Sequence, residues 1–191
     1  MKLNYEFLDN EKITAQFVLG DVVWIAFASV DGISKVYGCS IYDLDIIYWE
    51  LDVVGEISSI ISIDTYLYLA LDDDTNICAE FNSSNPSDIW YLAKDEEVTE
   101  EAIDLVWDSL SYQVYFLSPG LATGENAKIT VYDYSDNYVE TIDLPTVSNA
   151  SKISADEDGN LWVLSDLDST PIITKIWQET GGWDYFSYLL V

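Results

Sequence analysis

Four apolar segments recur along the chain at almost constant spacing, and this internal repeat constrains the fold more than any other feature. The segments begin at Asp21, Thr65, Ser111 and Gly159, so that consecutive starts lie 44, 46 and 48 residues apart. A period of this size is typical of arrays in which each repeat is one supersecondary unit that packs on its neighbours. The chain is therefore expected to be built from four similar units.

Each repeat contains four strand candidates separated by polar turns. They lie at 13–19, 21–27, 35–42 and 46–53 in the first repeat, 57–63, 65–71, 76–81 and 89–93 in the second, 102–107, 111–117, 128–132 and 138–144 in the third, and 151–155, 159–165, 171–177 and 183–190 in the fourth. The pairs Gly20-Asp21 and Asp64-Thr65 are typical hairpin-turn residues. The second strand of each repeat is apolar on both faces, as expected for a sheet packed between two other sheets. This pattern predicts an all-β protein with four tandem four-stranded antiparallel sheets.

Antiparallel units of this length match one blade of a β-propeller. The segment 153–165, Ile-Ser-Ala-Asp-Glu-Asp-Gly-Asn-Leu-Trp-Val-Leu-Ser, resembles the blade motif of propellers of the NHL and two-component-regulator type. In that motif an Asp-rich turn, Gly-Asn and an aromatic-containing strand recur. One repeat matches the motif, whereas all four match the period. The resemblance implies a β-propeller fold and no specific activity.

The repeats predict a single propeller-like domain over residues 1–191. Its blades are expected at about 13–55, 56–98, 99–147 and 148–191. Two closures remain open at this stage, namely a complete four-bladed propeller and half of an eight-bladed ring formed by two chains.

One more amphipathic strand is expected at 3–8, ahead of the first blade. We expect Leu3, Tyr5 and Phe7 to pair with a blade of another subunit or to cap the last blade of their own chain. The alternative is a disordered leader.

The charge is strongly one-sided, with 35 acidic residues, seven lysines, no arginine or histidine, and a formal net charge of −28. Because the lysines are scattered singly, nucleic acid and anionic membranes are disfavoured as partners. An acidic coat that keeps the protein soluble is the simplest explanation, and a halophilic shell, cation binding or a basic protein partner are the alternatives. Residues 1–10 lack a signal-peptide core, and no run is long enough to span a membrane, which predicts a soluble protein. Its location stays open, with a virion or the extracellular space as candidates.

Catalytic chemistry is poorly supported by the residue types present. The absence of histidine excludes triads and histidine acid–base catalysis, and the sequence has no Gly-rich phosphate loop. A pair of carboxylates at glycosidase spacing can arise by chance among so many acids. The sequence therefore predicts a protein that is not an enzyme and has no organic cofactor.

Two acidic clusters are candidate metal ligands, namely Asp72, Asp73 and Asp74 in one loop and Asp156 and Asp158 in another. Several oxygens in a short loop suit Ca²⁺. However, the second cluster has leucine where an EF-hand loop needs its glycine and its bidentate glutamate. Either the aspartates bind Ca²⁺ or they make turns through hydrogen bonds to the backbone.

Single aromatic and cysteine residues add two further expectations. Trp183 follows Gly181-Gly182 and is a candidate surface aromatic for stacking on a glycan. Cys39 and Cys78 fall at matching places in the third strands of adjacent repeats, where facing sheets lie too far apart for a disulfide. Two buried thiols are therefore predicted.

Two functional hypotheses follow. The first is a non-enzymatic structural or assembly protein, such as a subunit of a virion or extracellular filament, which self-associates through blade surfaces and the N-terminal strand. The second is a binding module that recognises a cation, a glycan or a basic protein through loops at one end of the propeller. Fold alone does not decide between them.

Overall fold

The computed structural model describes residues 12–95, 98, 101–120, 125–167, 170–180 and 182–190. These residues form sixteen strands: β1 Ile13–Leu19, β2 Val22–Phe27, β3 Ile33–Ser40, β4 Ile47–Val54, β5 Glu56–Ile63, β6 Tyr66–Asp72, β7 Asn76–Asn82, β8 Asn85–Ala93, β9 Asp104–Asp108, β10 Gln113–Ser118, β11 Ala127–Asp133, β12 Tyr138–Leu144, β13 Ala150–Ala155, β14 Leu161–Leu167, β15 Thr170–Glu179 and β16 Gly182–Leu189. No helix in the described ranges is long and apolar enough to cross a bilayer. The predicted strand at 3–8, with Leu3, Tyr5 and Phe7, lies outside the described residues.

The strands pair in chain order into four antiparallel sheets of four strands each. We refer to β1–β4 as the first sheet, β5–β8 as the second, β9–β12 as the third and β13–β16 as the fourth. The prediction of an all-β chain with four tandem antiparallel blades is confirmed. Within each sheet the connections between consecutive strands are two to eight residues long, which brings neighbouring strands together without a crossover.

The chain divides into two compact units, Met1–Ala93 and Lys94–Val191, and each contains two sheets. In the first unit, β1 lies beside β5 and the two sheets share one apolar core. Trp24 of β2 enters this core from the first sheet and meets Phe81 of the second sheet, with ring centroids 5.2 Å apart. Alternation along β2 puts Val23 and Ile25 on the opposite side of the first sheet.

In the second unit, β9 lies beside β13, and the third and fourth sheets share the other core. Tyr115 and Leu117 of β10 face Leu161 and Val163 of β14 across it. The buried Asp104 carboxylate of β9 joins this strand to β13, because its Oδ2 accepts a hydrogen bond of 2.9 Å from the Ile153 amide.

The third repeat differs from its sequence alignment by one residue. If its segment began at Ser111, Val114 would occupy the position of Trp24, but Tyr115 is the residue that enters the core shared with the next sheet. The turn between β9 and β10 contains more residues than the Gly20-Asp21 hairpin and ends on Tyr112 at φ 56°. The equivalent segment therefore begins at Tyr112, and the predicted start at Ser111 is wrong by one position.

Both cysteines lie in third strands, Cys39 in β3 and Cys78 in β7. Both are buried, and no disulfide joins them. The prediction of two buried thiols is confirmed. Burial also raises the pKa of the Cys39 thiol, which lowers its reactivity.

Candidate assembly surface

The fourth sheet has one side in the core of its unit and one side that faces away from the third sheet. Leu161, Val163 and Ile176 are on the core side, so the residues that alternate with them project from the other side. We call this second side the trailing face. Its members are Lys152, Ser154, Trp162, Leu164, Asp166, Ile173, Lys175, Trp177, Asp184, Phe186 and Tyr188.

Large apolar side chains remain exposed on the trailing face. Phe186 is 57% exposed and Tyr188 is 47% exposed, and their rings meet at a centroid distance of 4.8 Å. Together with Trp177, Lys175 and Asn160, they line an open depression of about 570 Å³. Scattered single apolar residues are normal on a protein surface, whereas a contiguous aromatic patch marks a surface used for interaction.

The same positions are covered in the first sheet. The cross-strand row Trp24, Gly38 and Trp49 corresponds to the row Trp162, Lys175 and Phe186, since each row joins the second, third and fourth strands of its sheet. Trp24 is 1% exposed because the second sheet packs on it. The trailing face therefore has the residue pattern of a blade-to-blade packing surface.

Lys175 makes the trailing face chemically distinct. Its ammonium lies 5.4 Å from the centroid of the Trp162 ring, a cation–π contact, and it forms no ion pair within the described part of the chain. The Lys152 ammonium, in β13, lies 3.4 Å from Asp104 Oδ1. Asp166 and Asp184 lie at opposite ends of the face. Lys12 and Lys94 also have no ion pair in the described ranges, so what sets Lys175 apart is its place among aromatic side chains.

The first sheet also has a side that faces away from its neighbour, which we call the leading face. Its exposed members are Val18, Tyr48, Glu50 and Asp52, while Ile25, Phe27 and Cys39 of the same side are buried. Lys35 pairs with both Glu50 and Asp52, and the Tyr37 hydroxyl lies 3.5 Å from Glu50 Oε1. Two carboxylates thus share one ammonium group, which leaves an excess negative charge.

Trp183, the aromatic proposed from sequence for glycan stacking, lies within β16 on the side of the core. Its ring meets Tyr115 edge-on at 6.2 Å, and its Nε1 donates a hydrogen bond of 2.9 Å to Glu140. Phe186 and Tyr188, on the opposite side of the same strand, hold the more exposed rings. Trp183 therefore contributes mainly to packing between the third and fourth sheets.

The aspartates proposed as metal ligands lie in turns. Asp73 Oδ1 accepts hydrogen bonds from the amide groups of Thr75 and Asn76 at 3.0 and 2.7 Å, while Asp72 and Asp74 are exposed beside it. Among the described residues, no group of three or more Asp, Glu, Cys or His side chains is arranged to hold a metal ion. The Asp73 carboxylate is therefore used in turn contacts.

Asp156 is bonded more fully than the other turn aspartates. Its carboxylate accepts hydrogen bonds of 2.9 to 3.0 Å from the Asp158 amide, the Asn160 amide and side chain, and the Trp162 Nε1. Desolvation alone would raise the pKa of this carboxyl, but the hydrogen bonds from Trp162, Asn160 and Asp158 outweigh it and lower the pKa to about 2. Asp158 is exposed in the same turn.

Neither the trailing face nor a second turn of the Asp156 type was identified from the sequence. Asp133 and Asn137 repeat the bonding of Asp156 and Asn160, with Asp133 Oδ1 accepting from the Asn137 amide at 3.0 Å. The shared spacing of four residues between Asp and Asn was a usable signal for that turn. For the trailing face, the signal was β16 itself, which is apolar on both sides although it is the outermost strand of its sheet.

Comparison with known proteins identifies the type of fold but not the activity. No family model matches the sequence, and the search of curated proteins found no relative. Among solved structures, Kuenenia stuttgartiensis hydrazine synthase aligns with a TM-score of 0.75 at 16% identity over 94% of this chain. The RRP9 WD40 repeats give 0.64 at 12% identity over 94%, and the β-propeller domain of Myceliophteria thermophila Cps50 (Swd1) gives 0.62 at 13% over 93%.

These matches establish a β-propeller-type repeat fold, as the sequence predicted, and they do not establish the NHL type within it. The chain spans about half the length of these structures, namely 54% of hydrazine synthase, 51% of RRP9 and 57% of Cps50. Identities this low show the fold alone.

Proposed function

We propose that the chain is a non-enzymatic interaction module that assembles with further copies of itself, as a subunit of a virion or extracellular filament does. The observation that carries the proposal is the trailing face, where Trp162 and Phe186 stand at positions that are covered in the first sheet. Propeller sheets normally pack face to face, and an open face of this kind is therefore suited to a partner sheet.

The electrostatics add a requirement to this assembly. Two copies of a chain with net charge −28 repel each other, so a stable contact needs apolar burial and locally favourable charge. The trailing face offers both, because exposed aromatic rings surround Lys175. We further propose that Leu3, Tyr5 and Phe7 of the N-terminal segment contribute a strand to the assembly, as their sequence pattern suggests.

Measuring the mass of the chain in solution tests the proposal, with one variant on the trailing face and one away from it. Phe186→Ala removes the most exposed ring of that face, and we expect it to weaken self-association by roughly tenfold, the effect of losing an aromatic anchor at an interface. Leu110→Ala is the matched control, because Leu110 is 61% exposed against 57% for Phe186 but lies in the turn between β9 and β10. A wild-type chain that stays a single copy at micromolar concentration contradicts the proposal.

A second candidate is glycan binding by a loop surface, which the sequence analysis also favoured. The rings of Tyr112 and Tyr134 lie 6.1 and 5.7 Å from that of Trp107, and both tyrosines are exposed at neighbouring turns of the third sheet. Aromatic platforms of this kind stack on sugar rings. Glycan-array binding that is lost in Tyr112→Ala and kept in Phe186→Ala is the expected result for this candidate, and no binding at all excludes it.

A further inference from the structure

We infer that the free edge of β16 pairs with β16 of a second copy, antiparallel and about a two-fold axis beside Ser187. This inference rests on the proposed self-association and adds to it a contact made by backbone hydrogen bonds. β16 is the last strand of the fourth sheet, and no described strand pairs with its other edge. The contact is isologous, because the same strand serves both partners.

The last strand of each other sheet carries residues that discourage pairing at its edge. Charged side chains and prolines within such a strand oppose the addition of a further strand. They are Glu50 and Asp52 in β4, Pro86 and Asp88 in β8, and Glu140 and Asp143 in β12. These three strands are therefore protected against edge-to-edge association.

β16 lacks this protection over most of its length. After Asp184, residues 185–190 read Tyr-Phe-Ser-Tyr-Leu-Leu, with no charge and no proline. All six of these residues are exposed, and Leu189 is 61% exposed. An uncharged segment of high β propensity at an open edge is a typical site for the addition of a strand. In a chain with a net charge of −28, this edge is a place where two copies can meet without bringing acidic residues together.

The backbone of β16 is oriented for such pairing. The Leu190 amide donates a hydrogen bond of 3.0 Å to the Pro171 carbonyl of β15. Alternate residues of an antiparallel strand direct their amide and carbonyl groups to the same side, and the register between β15 and β16 is unbroken. The even-numbered residues of β16 therefore bond to β15. The amide and carbonyl groups of Tyr185, Ser187 and Leu189 point to the free edge.

Charge selects the register of the pairing. We place Ser187 opposite the partner's Ser187, so that Asp184 lies opposite the partner's Leu190. The two Asp184 carboxylates are then roughly 20 Å apart along the strands, at a rise of ~3.4 Å per residue, which exceeds the Debye length of about 8 Å. An axis nearer to Asp184 would bring the two carboxylates together.

The same register gives the exposed rings of β16 a partner. Phe186 lies opposite the partner's Tyr188, in a non-hydrogen-bonded pair whose side chains approach closely. Aromatic cross-strand pairs of this kind stabilise antiparallel sheets. Because the axis is perpendicular to the sheet, both pairs lie on the same side. The two rings that meet at 4.8 Å on each trailing face thus join those of the other copy in one aromatic patch.

Proline at position 187 tests the backbone contact. Ser187→Pro removes an amide that points to the free edge and leaves the hydrogen bonds to β15, which an edge strand tolerates. We expect it to raise the dissociation constant roughly ten- to a hundredfold, because the axis makes each copy lose this amide. Ser187→Ala is the matched control, since it loses the same hydroxyl contact with Thr174, 2.8 Å long, and keeps the amide. We expect Ser187→Ala to change the dissociation constant less than about threefold.

Charge at position 190 tests the register without changing the backbone. Leu190→Glu puts a carboxylate opposite the partner's Asp184 at both ends of the contact, and Leu190→Lys puts an ammonium group there. We expect association to be roughly three- to tenfold weaker in the first variant and tighter by a similar factor in the second. Leu110→Glu and Leu110→Lys are the controls, because they change the net charge equally at an exposed residue between β9 and β10.

The outcomes separate this inference from the proposed function. If Phe186→Ala weakens association but Ser187→Pro does so no more than Ser187→Ala, self-association stands and pairing through β16 is wrong. If the two Leu190 variants differ no more than the two Leu110 variants, a second β16 is not the strand at this edge, and residues 3–8 become the candidate. If circular dichroism shows that Ser187→Pro is unfolded, the Leu190 variants decide alone. If the wild type stays a single chain, both proposals fail.

Discussion

Substitution of Gly38 by alanine tests the packing that defines a blade contact. Gly38 lies in β3 beneath the Trp24 ring, and a Cβ built at this position meets three atoms of that ring at 2.9, 3.0 and 3.2 Å. The first contact is shorter than real Cβ atoms show, so either the ring or β3 must move. Trp24 is 1% exposed and its ring contacts Phe81, which leaves little room for adjustment.

The magnitude follows from two opposing effects. Forcing a methyl group into a packed core destabilises by about 1–3 kcal/mol, while replacing glycine by alanine within a strand recovers about 0.5–1 kcal/mol. Taking the middle of each range, the net loss in free energy of unfolding is about 1 kcal/mol. For a chain of this size this corresponds to a melting temperature about 2–4 °C lower.

Urea unfolding followed by far-UV circular dichroism measures the loss, and a double-mutant cycle assigns it to the ring. In a Trp24→Phe background the ring is smaller, so we expect Gly38→Ala to cost less than about 0.5 kcal/mol there. If the cost is the same in both backgrounds, the contact between Gly38 and Trp24 is not its source. If Gly38→Ala leaves wild-type stability unchanged, the close packing of the first two sheets described above is refuted.

Three other predictions concern a loop, a turn and the thiols. Gly120→Ala is expected to destabilise by more than about 2 kcal/mol in the same urea assay, because its φ is +64° and a Cβ would clash with the Asn126 carbonyl carbon; wild-type stability in this variant contradicts the reasoning. Because folding lowers the pKa of Asp156 from 3.8 to about 2, its stabilisation is complete above pH 4 and is lost as the pH falls towards 2. The melting temperatures of wild type and Asp156→Asn should therefore converge at low pH, and a constant difference between them contradicts this assignment. Cys39 and Cys78 should react with a thiol reagent only in denaturant, without prior reduction, and fast reaction in the native protein contradicts their burial.

Calcium binding by the acidic loops can be measured directly. Because Asp73 and Asp156 are engaged by turn hydrogen bonds, we expect the same melting temperature in chelator and in millimolar Ca²⁺. If the melting temperature rises in millimolar Ca²⁺ and this rise is lost in Asp73→Asn or Asp156→Asn, the loops are cation sites.

The repeat architecture could be predicted from the sequence because its signals are local. Alternating and continuous apolar runs mark strands, and residues such as Gly20 and Asp64, both at positive φ, mark the hairpins between them. The third repeat was placed one residue off because its turn ends on Tyr112 at positive φ. An aromatic residue in that conformation gives no sequence signal for the end of a turn.

The trailing face could not be predicted in the same way, because burial there depends on a neighbouring sheet rather than on local pattern. Trp24 and Trp162 occupy the same place in their repeats. Within the first unit the second sheet covers Trp24, whereas no sheet of the second unit covers Trp162. Similarly, the Gly-Gly before Trp183 suggested a loop, whereas β16 begins at Gly182 and turns Trp183 towards Tyr115. Local sequence cannot report which side of an outer strand meets the core.

We propose that the open face of the fourth sheet assembles with another copy of the chain. Sedimentation velocity of the wild-type protein over a range of micromolar concentrations tests this claim. We expect species of two or more chains, which Phe186→Ala shifts towards the single chain and Leu110→Ala leaves unchanged. A single-chain species at every concentration, identical in wild type and both variants, contradicts the claim.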